Sequence, residues 1–170
     1  MMKLRSKILA GMSTIAVAGV VAAAGLTSAS ASPTAGAARS GFEYFQLVKT
    51  SSANSAPETI IGRGVFTAGG SAADTSGTTA TVTFPSGTFV ITHSKGTGTP
   101  RFNPRTCLFT LALNGTYQLG HGTGAYAGIS GHGIYRLNIT AVAARNSAGK
   151  CSNKLTAYQQ ITRAQGPAHL

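Results

Sequence analysis

Acid–base or nucleophilic chemistry needs titratable groups, and this sequence has few. It holds three carboxylates (Glu43, Glu58 and Asp74), four histidines (His93, His121, His132 and His169) and two cysteines (Cys107 and Cys151). A Ser-His-Asp hydrolase needs an acid to orient its imidazole. Asp74 lies in the polar stretch 71–79, and no Gly-x-Ser-x-Gly elbow precedes a helical pattern, which argues against hydrolysis. His121 and His132 flank a glycine-rich segment, but two imidazoles without a thiol or carboxylate fall short of a metal site. No metal or other cofactor is expected. Glu58 and Asp74 stand in turn-like contexts, where acids are usually solvated. Glu43 falls in the first strand. The ordinary exposure of Glu places it in water or beside Arg63. Turned inward, it would be a buried carboxylate and a functional candidate.

The two cysteines depend on compartment, and the N-terminus speaks to that. Lys3, Arg5 and Lys7 precede an uncharged apolar run over 8–26, and Ala29-Ser30-Ala31 follows as an A-x-A cleavage signal. This pattern predicts a signal peptide over 1–31, cut between Ala31 and Ser32, and a secreted protein. The run could just span a bilayer, but Gly and Ala dilute it and no stop-transfer cluster follows. No Arg-Arg pair suggests a twin-arginine route, and no membrane span is expected after processing. An exported chain with an even cysteine count implies a Cys107–Cys151 disulfide.

Removal of 31 residues would leave 139, with 11 basic residues against 3 acids and a net charge of +8. The basic residues are scattered and show neither a stripe nor a nucleic-acid-binding module. Nucleic acid is therefore not expected as a partner. A diffuse attraction for anionic cell-surface polymers is.

Positioning falls to strands. After a flexible segment over 32–40, the domain over 41–170 reads as short β-type runs at 42–50, 59–66, 78–84, 88–94, 106–117, 125–129, 133–143 and 155–163. Alternation is clear where Phe109, Leu111, Leu113 and Tyr117 share one face, and where Tyr135, Leu137, Ile139 and Ala141 share another. Glycine-bearing turns at 68–70, 85–87, 95–98 and 147–150 separate the runs. Eight strands without a convincing helix predict an all-β fold, a small eight-stranded antiparallel barrel. Asn114 and Asn138 begin sequons, which are chance matches in a chain whose export signal looks bacterial.

The densest feature is Gly120-His121-Gly122-Thr123-Gly124-Ala125-Tyr126-Ala127-Gly128-Ile129-Ser130-Gly131-His132-Gly133. With no Gly-Lys-Ser/Thr ending and no helix after it, it is not a phosphate loop. Its glycines suit a bulged, sharply bent barrel corner anchored by Tyr126 and Ile129. The stretch 115–133 resembles the allene oxide cyclase and dirigent barrel families, and Ile60-Ile61-Gly62-Arg63-Gly64-Val65-Phe66 is similar to a dirigent strand with a Gly-Arg pair. The resemblance implies an eight-stranded antiparallel barrel, often a homotrimer. None of those families' acids aligns here, so no activity carries over.

The expected function is that of a secreted binding or cell-surface protein without catalysis. Its partner would be a small apolar ligand in the barrel or an anionic polymer on its exterior. The alternatives are a cyclase- or isomerase-like barrel that confines a reactive intermediate and a structural envelope protein. Glu43, Tyr44, Arg63, Tyr117 and Tyr135 are the candidate pocket residues.

Overall fold

A computed structural model describes residues 38–53 and 55–170. The expected signal peptide, its cleavage site and most of the 32–40 segment lie outside the described residues. Nine strands follow one another: β1 (Ser40–Lys49), β2 (Glu58–Arg63), β3 (Thr67–Ser76), β4 (Thr79–Phe84), β5 (Gly87–His93), β6 (Pro100–Asn103), β7 (Leu108–Gly120), β8 (Ser130–Arg145) and β9 (Cys151–His169). All pair antiparallel in the order β5-β4-β3-β2-β1-β9-β8-β7-β6. The sheet closes because β7 divides its length. Its C-terminal part pairs with β5, from Val90↔Gly120 to His93↔Tyr117. Its N-terminal part carries the short β6, from Pro100↔Leu111 to Asn103↔Leu108. The result is an eight-stranded antiparallel barrel with one added edge strand.

Strands β7, β8 and β9 run 13, 16 and 19 residues, so their Cys-proximal ends project beyond the barrel. There Cys107 and Cys151 form a disulfide, with Cα atoms 5.5 Å apart, joining the starts of β7 and β9 across β8. The Arg145 guanidinium holds the same tip, donating to the carbonyls of Gly149 (2.6 Å) and Arg105.

Period-two alternation puts one side chain in two inside the barrel. One half of the lumen is filled by Phe45, Phe66, Phe84, Phe89 and Tyr126, whose ring centroids lie 5.0–6.1 Å apart in tilted and edge-on contacts. Each such ring, removed from water, contributes roughly 1.5–3 kcal/mol. Tyr126 closes that end.

Three departures from the sequence reading have physical causes. The 125–129 run is not a strand: Gly124–Tyr126 form a single 3-10 turn. Thr88 and Thr123 hold it by reciprocal hydrogen bonds (Thr123 N to Thr88 O, 2.8 Å; Thr88 N to Thr123 Oγ1, 3.0 Å). This corner carries Tyr126 and Ile129 into the core. Second, 68–70 is the body of β3 rather than a turn, and the polar stretch after it continues the strand. Gly70 is required there by close approach, since a Cβ would sit 2.1 Å from the Thr83 carbonyl and 2.7 Å from the Phe84 ring. Third, β6 was not anticipated, because four exposed residues carry no alternation to read.

Candidate functional site

The other half of the lumen is not filled. The inward face of β9 carries Gln160, Thr162, Ala164, Gly166 and Ala168, small or polar residues that leave space where the opposite half has rings. A cavity of about 220 Å3 remains. Its apolar wall is Leu47, Ala72, Ala80, Ile91, Leu137 and Ala164, and its polar groups are Glu58, Asp74, His93, Tyr117, Tyr135, Gln160 and Thr162. At ~30 Å3 per water in the liquid, the space equals about seven waters.

Glu58 begins β2 and is buried. Tyr158 Oη donates to Gln160 Oε1 at 2.8 Å, and Gln160 Nε2 donates to Glu58 Oε1 at 2.7 Å, a relay that fixes the carboxylate's orientation. Burial raises the Glu58 pKa and the charge of Asp74 adds to this. Lys49, buried at the same end of β1, opposes it, as do Gln160 and His93. The buried Glu58 and the exposed Asp74 line this end of the cavity, and the Lys49 ammonium acts on Glu58 from outside its lining. On the opposite wall the Ser94 carbonyl accepts from Tyr135 Oη (3.0 Å) and from His93 Nδ1 (3.1 Å). A carbonyl can only accept, so His93 Nδ1 is the donor in this contact.

Below the cavity, one cross-strand row carries Tyr117 (β7), Gly133 (β8), Gly166 (β9) and Glu43 (β1). The two glycines leave a floor without side chains, and the Tyr117 ring lies over it. A Cβ on Gly133 would meet Tyr117 Cε1 at 2.8 Å and the Gln165 carbonyl at 2.1 Å. Glu43 is fully buried: Oε2 accepts from the Phe66 amide at 3.2 Å, while Oε1 has no hydrogen-bond partner, and neither has Tyr117 Oη. Burial raises the Glu43 pKa, with the amides of Phe66, Val65 and Arg63 pulling against it. Burial, reinforced by the charge of Glu43, pushes the Tyr117 phenol up to about 12.

Of the five candidate pocket residues, the fold brings three into the lumen. Tyr117 and Tyr135 line the cavity, and Glu43 lies behind Tyr117. The surface position that its residue type favoured for Glu43 is not the observed one, because its neighbours Phe45 and Leu47 share its inward parity. Tyr44 and Arg63 are cross-strand partners on the outer face and are exposed, so they do not line the lumen. Glu58 and Asp74, read as turn acids, lie in strands and line the cavity; Glu58 is buried, whereas Asp74 is solvent-exposed as its reading expected. His93 and Gln160 were not singled out. The parity of Phe89, Ile91 and His93 in β5 would have found the former. His121 and His132 are exposed, and among the described residues no three His, Cys, Asp or Glu side chains converge on a metal position. No described helix is long and apolar enough to cross a membrane. Comparison with protein-family models, curated proteins and solved structures finds no match for this chain.

Proposed function

We propose that the barrel is an exported binding protein that takes a small ligand with an apolar body and a cationic, hydrogen-donating head into the open half of its lumen. One observation carries this reading. A chain rich in basic residues buries two of its three carboxylates, Glu43 and Glu58, and Glu58 lines a single apolar-walled cavity together with the third, the solvent-exposed Asp74. Concave, mostly apolar sites with a few convergent polar groups are the usual form of small-ligand sites. A cationic head would pair with the Glu58 and Asp74 carboxylates, whose mutual repulsion it relieves. Export is supported by the N-terminal pattern and by a disulfide of the kind that oxidising compartments maintain. The resemblance to allene oxide cyclase and dirigent barrels is proposed at the level of fold, supported by eight-stranded closure.

Calorimetric titration with hexylammonium, hexanol and hexanoate tests the reading. Hexylammonium should bind best and hexanoate worst, and Glu58→Gln should erase the preference for the amine over the alcohol. Preferred binding of hexanoate, or no binding by any of the three, would overturn it.

A second reading, confinement chemistry of a cyclase or isomerase type, is favoured by the unpartnered Tyr117 hydroxyl and the His93 imidazole lining one cavity. It would require Tyr117→Phe to abolish turnover while leaving hexylammonium binding intact.

A further inference from the structure

The outer face of the barrel presents a second chemistry, independent of the lumen. Cross-strand partners from β2 to β7 form two adjacent rows. The first runs Ile61, Gln46, Arg163, Arg136, Asn114, and the second Arg63, Tyr44, Gln165, Ile134, Thr116. All are exposed, and Tyr44, Ile61 and Ile134 show 51%, 40% and 60% of their surface. Two surface depressions, of about 260 and 430 Å3, lie on these rows and share Arg163 and Gln165, so they form one trough across the strands.

Two features of the trough point to an anion. Arg136 and Arg163 stand directly opposite each other in the β8–β9 ladder, and like charges so placed repel. Asn114 Oδ1 accepts from Arg136 Nε at 3.1 Å, which fixes that guanidinium without neutralising it. In addition, no carboxylate side chain lines the trough: Glu43 and Glu58 are buried, and Asp74 lines the lumen cavity instead. A second copy of this face would bring arginine against arginine, so charge complementarity disfavours the chain itself as the occupant.

We propose that this trough docks an acidic polysaccharide. Arg63, Arg136 and Arg163 would pair with its carboxylates, Gln46, Gln165 and Asn114 would hydrogen-bond its hydroxyls, and a sugar face would pack on the exposed Tyr44 ring. Planar guanidinium forks match carboxylate geometry, and side-chain amides both donate to and accept from hydroxyls.

The test measures binding of the full chain to polygalacturonate, to neutral dextran and to double-stranded DNA by affinity electrophoresis at several salt concentrations, with sedimentation run in parallel. Polygalacturonate should retard the protein and dextran should not. Arg136→Ala/Arg163→Ala should weaken the retardation roughly tenfold, equivalent to about 1.4 kcal/mol. Tyr44→Ala should weaken it severalfold without altering the salt dependence, and Lys154→Ala, away from the trough, should leave it unchanged. Equal retardation by dextran, equal or tighter binding to DNA with no effect of Tyr44→Ala, or unchanged binding in the double arginine variant would each overturn the proposal. Concentration-dependent self-association lost in that variant would assign the face to a second copy instead. These exterior substitutions leave Glu58 and the cavity untouched, so failure here is separable from failure of the lumen reading.

Discussion

Substitution Ala164→Leu decides whether the lumen is open, because its effect on stability changes sign. Ala164 is buried on the inward face of β9 and contributes to the wall of the 220 Å3 cavity. Leucine adds three carbons. In an existing apolar space each buried methylene is worth about 0.8 kcal/mol, so the ceiling is a gain of about 2.4 kcal/mol. Side-chain ordering, at roughly 0.5–1 kcal/mol for Leu, reduces this to a net 1–2 kcal/mol. At roughly 4 °C per kcal/mol for a domain of this size, calorimetric Tm should rise by about 4–8 °C. Were the lumen filled like its aromatic half, the same carbons would overpack it, costing typically 1–3 kcal/mol and lowering Tm by a similar interval. Hexylammonium titration on the same sample should show weakened binding, since the added side chain occupies ligand space. A fall in Tm with binding unchanged would refute both the cavity and the site assigned to it.

Other perturbations report on the supports of the site. Glu43 has a raised folded-state pKa, so it stabilises the protein below its unfolded value of about 4.5, and that contribution is lost as pH rises through the folded value. Glu43→Gln should therefore be more stable than the parent at pH 7, by on the order of 1–3 kcal/mol, because the amide removes an incompletely paired buried charge. The difference should shrink toward pH 4 in urea melts, and a difference that does not vary with pH would contradict the assignment. Replacing both cysteines by serine opens a loop with a sequence separation of 44 and should cost about 4 kcal/mol by chain-entropy reasoning, read as a lower urea midpoint. Gly133→Ala forces a methyl against the Gln165 carbonyl and the Tyr117 ring. It should destabilise by at least about 1–3 kcal/mol and shift the Tyr117 absorbance titration, which an effect on stability alone would leave in place.

Parity made much of this fold legible. Tyr117, Tyr135, Leu113 and Leu137 alternate with polar neighbours over long stretches of β7 and β8, and both strands and their buried faces follow from that. The Cys107–Cys151 bridge was readable from the even cysteine count together with an N-terminal sequence pattern that predicts export. What stayed hidden was written in small residues. In β3, Ala68, Gly70 and Ala72 face inward because Phe84 and its neighbours take the space they leave, and a run of Thr, Ala, Gly and Ser carries the signature of a turn. Missing β3 hid the inward parity of Asp74, and treating Glu58 as a turn residue overlooked its common face with Ile60 and Gly62. Glu43 misled for the opposite reason. General residue preference argued for water, whereas Phe45 and Leu47, two and four positions on, fixed the face. In a barrel this small, local parity outweighs the average behaviour of a residue type.

The same parity separates charge in a way composition alone conceals. A net positive chain suggests a molecule that attracts anions everywhere. Yet side chains alternate between lumen and exterior, and the acids fall on inward positions while Arg63, Arg136 and Arg163 fall on outward ones. The field outside draws anions to the surface. Within the lumen, the buried Glu58 rejects an anion of any size that fits, because a buried like charge costs several-fold more there than in water, and the exposed Asp74 adds to the repulsion. The two sites therefore select opposite ligand charges, and an anionic polymer on the outer face should not compete with hexylammonium in the cavity. Saturating polygalacturonate should leave the amine titration unchanged or slightly tighter. A loss of amine affinity in proportion to polymer bound would mean that both ligands use one site, and the division of the barrel into an anionic interior and a cationic exterior would fail with it.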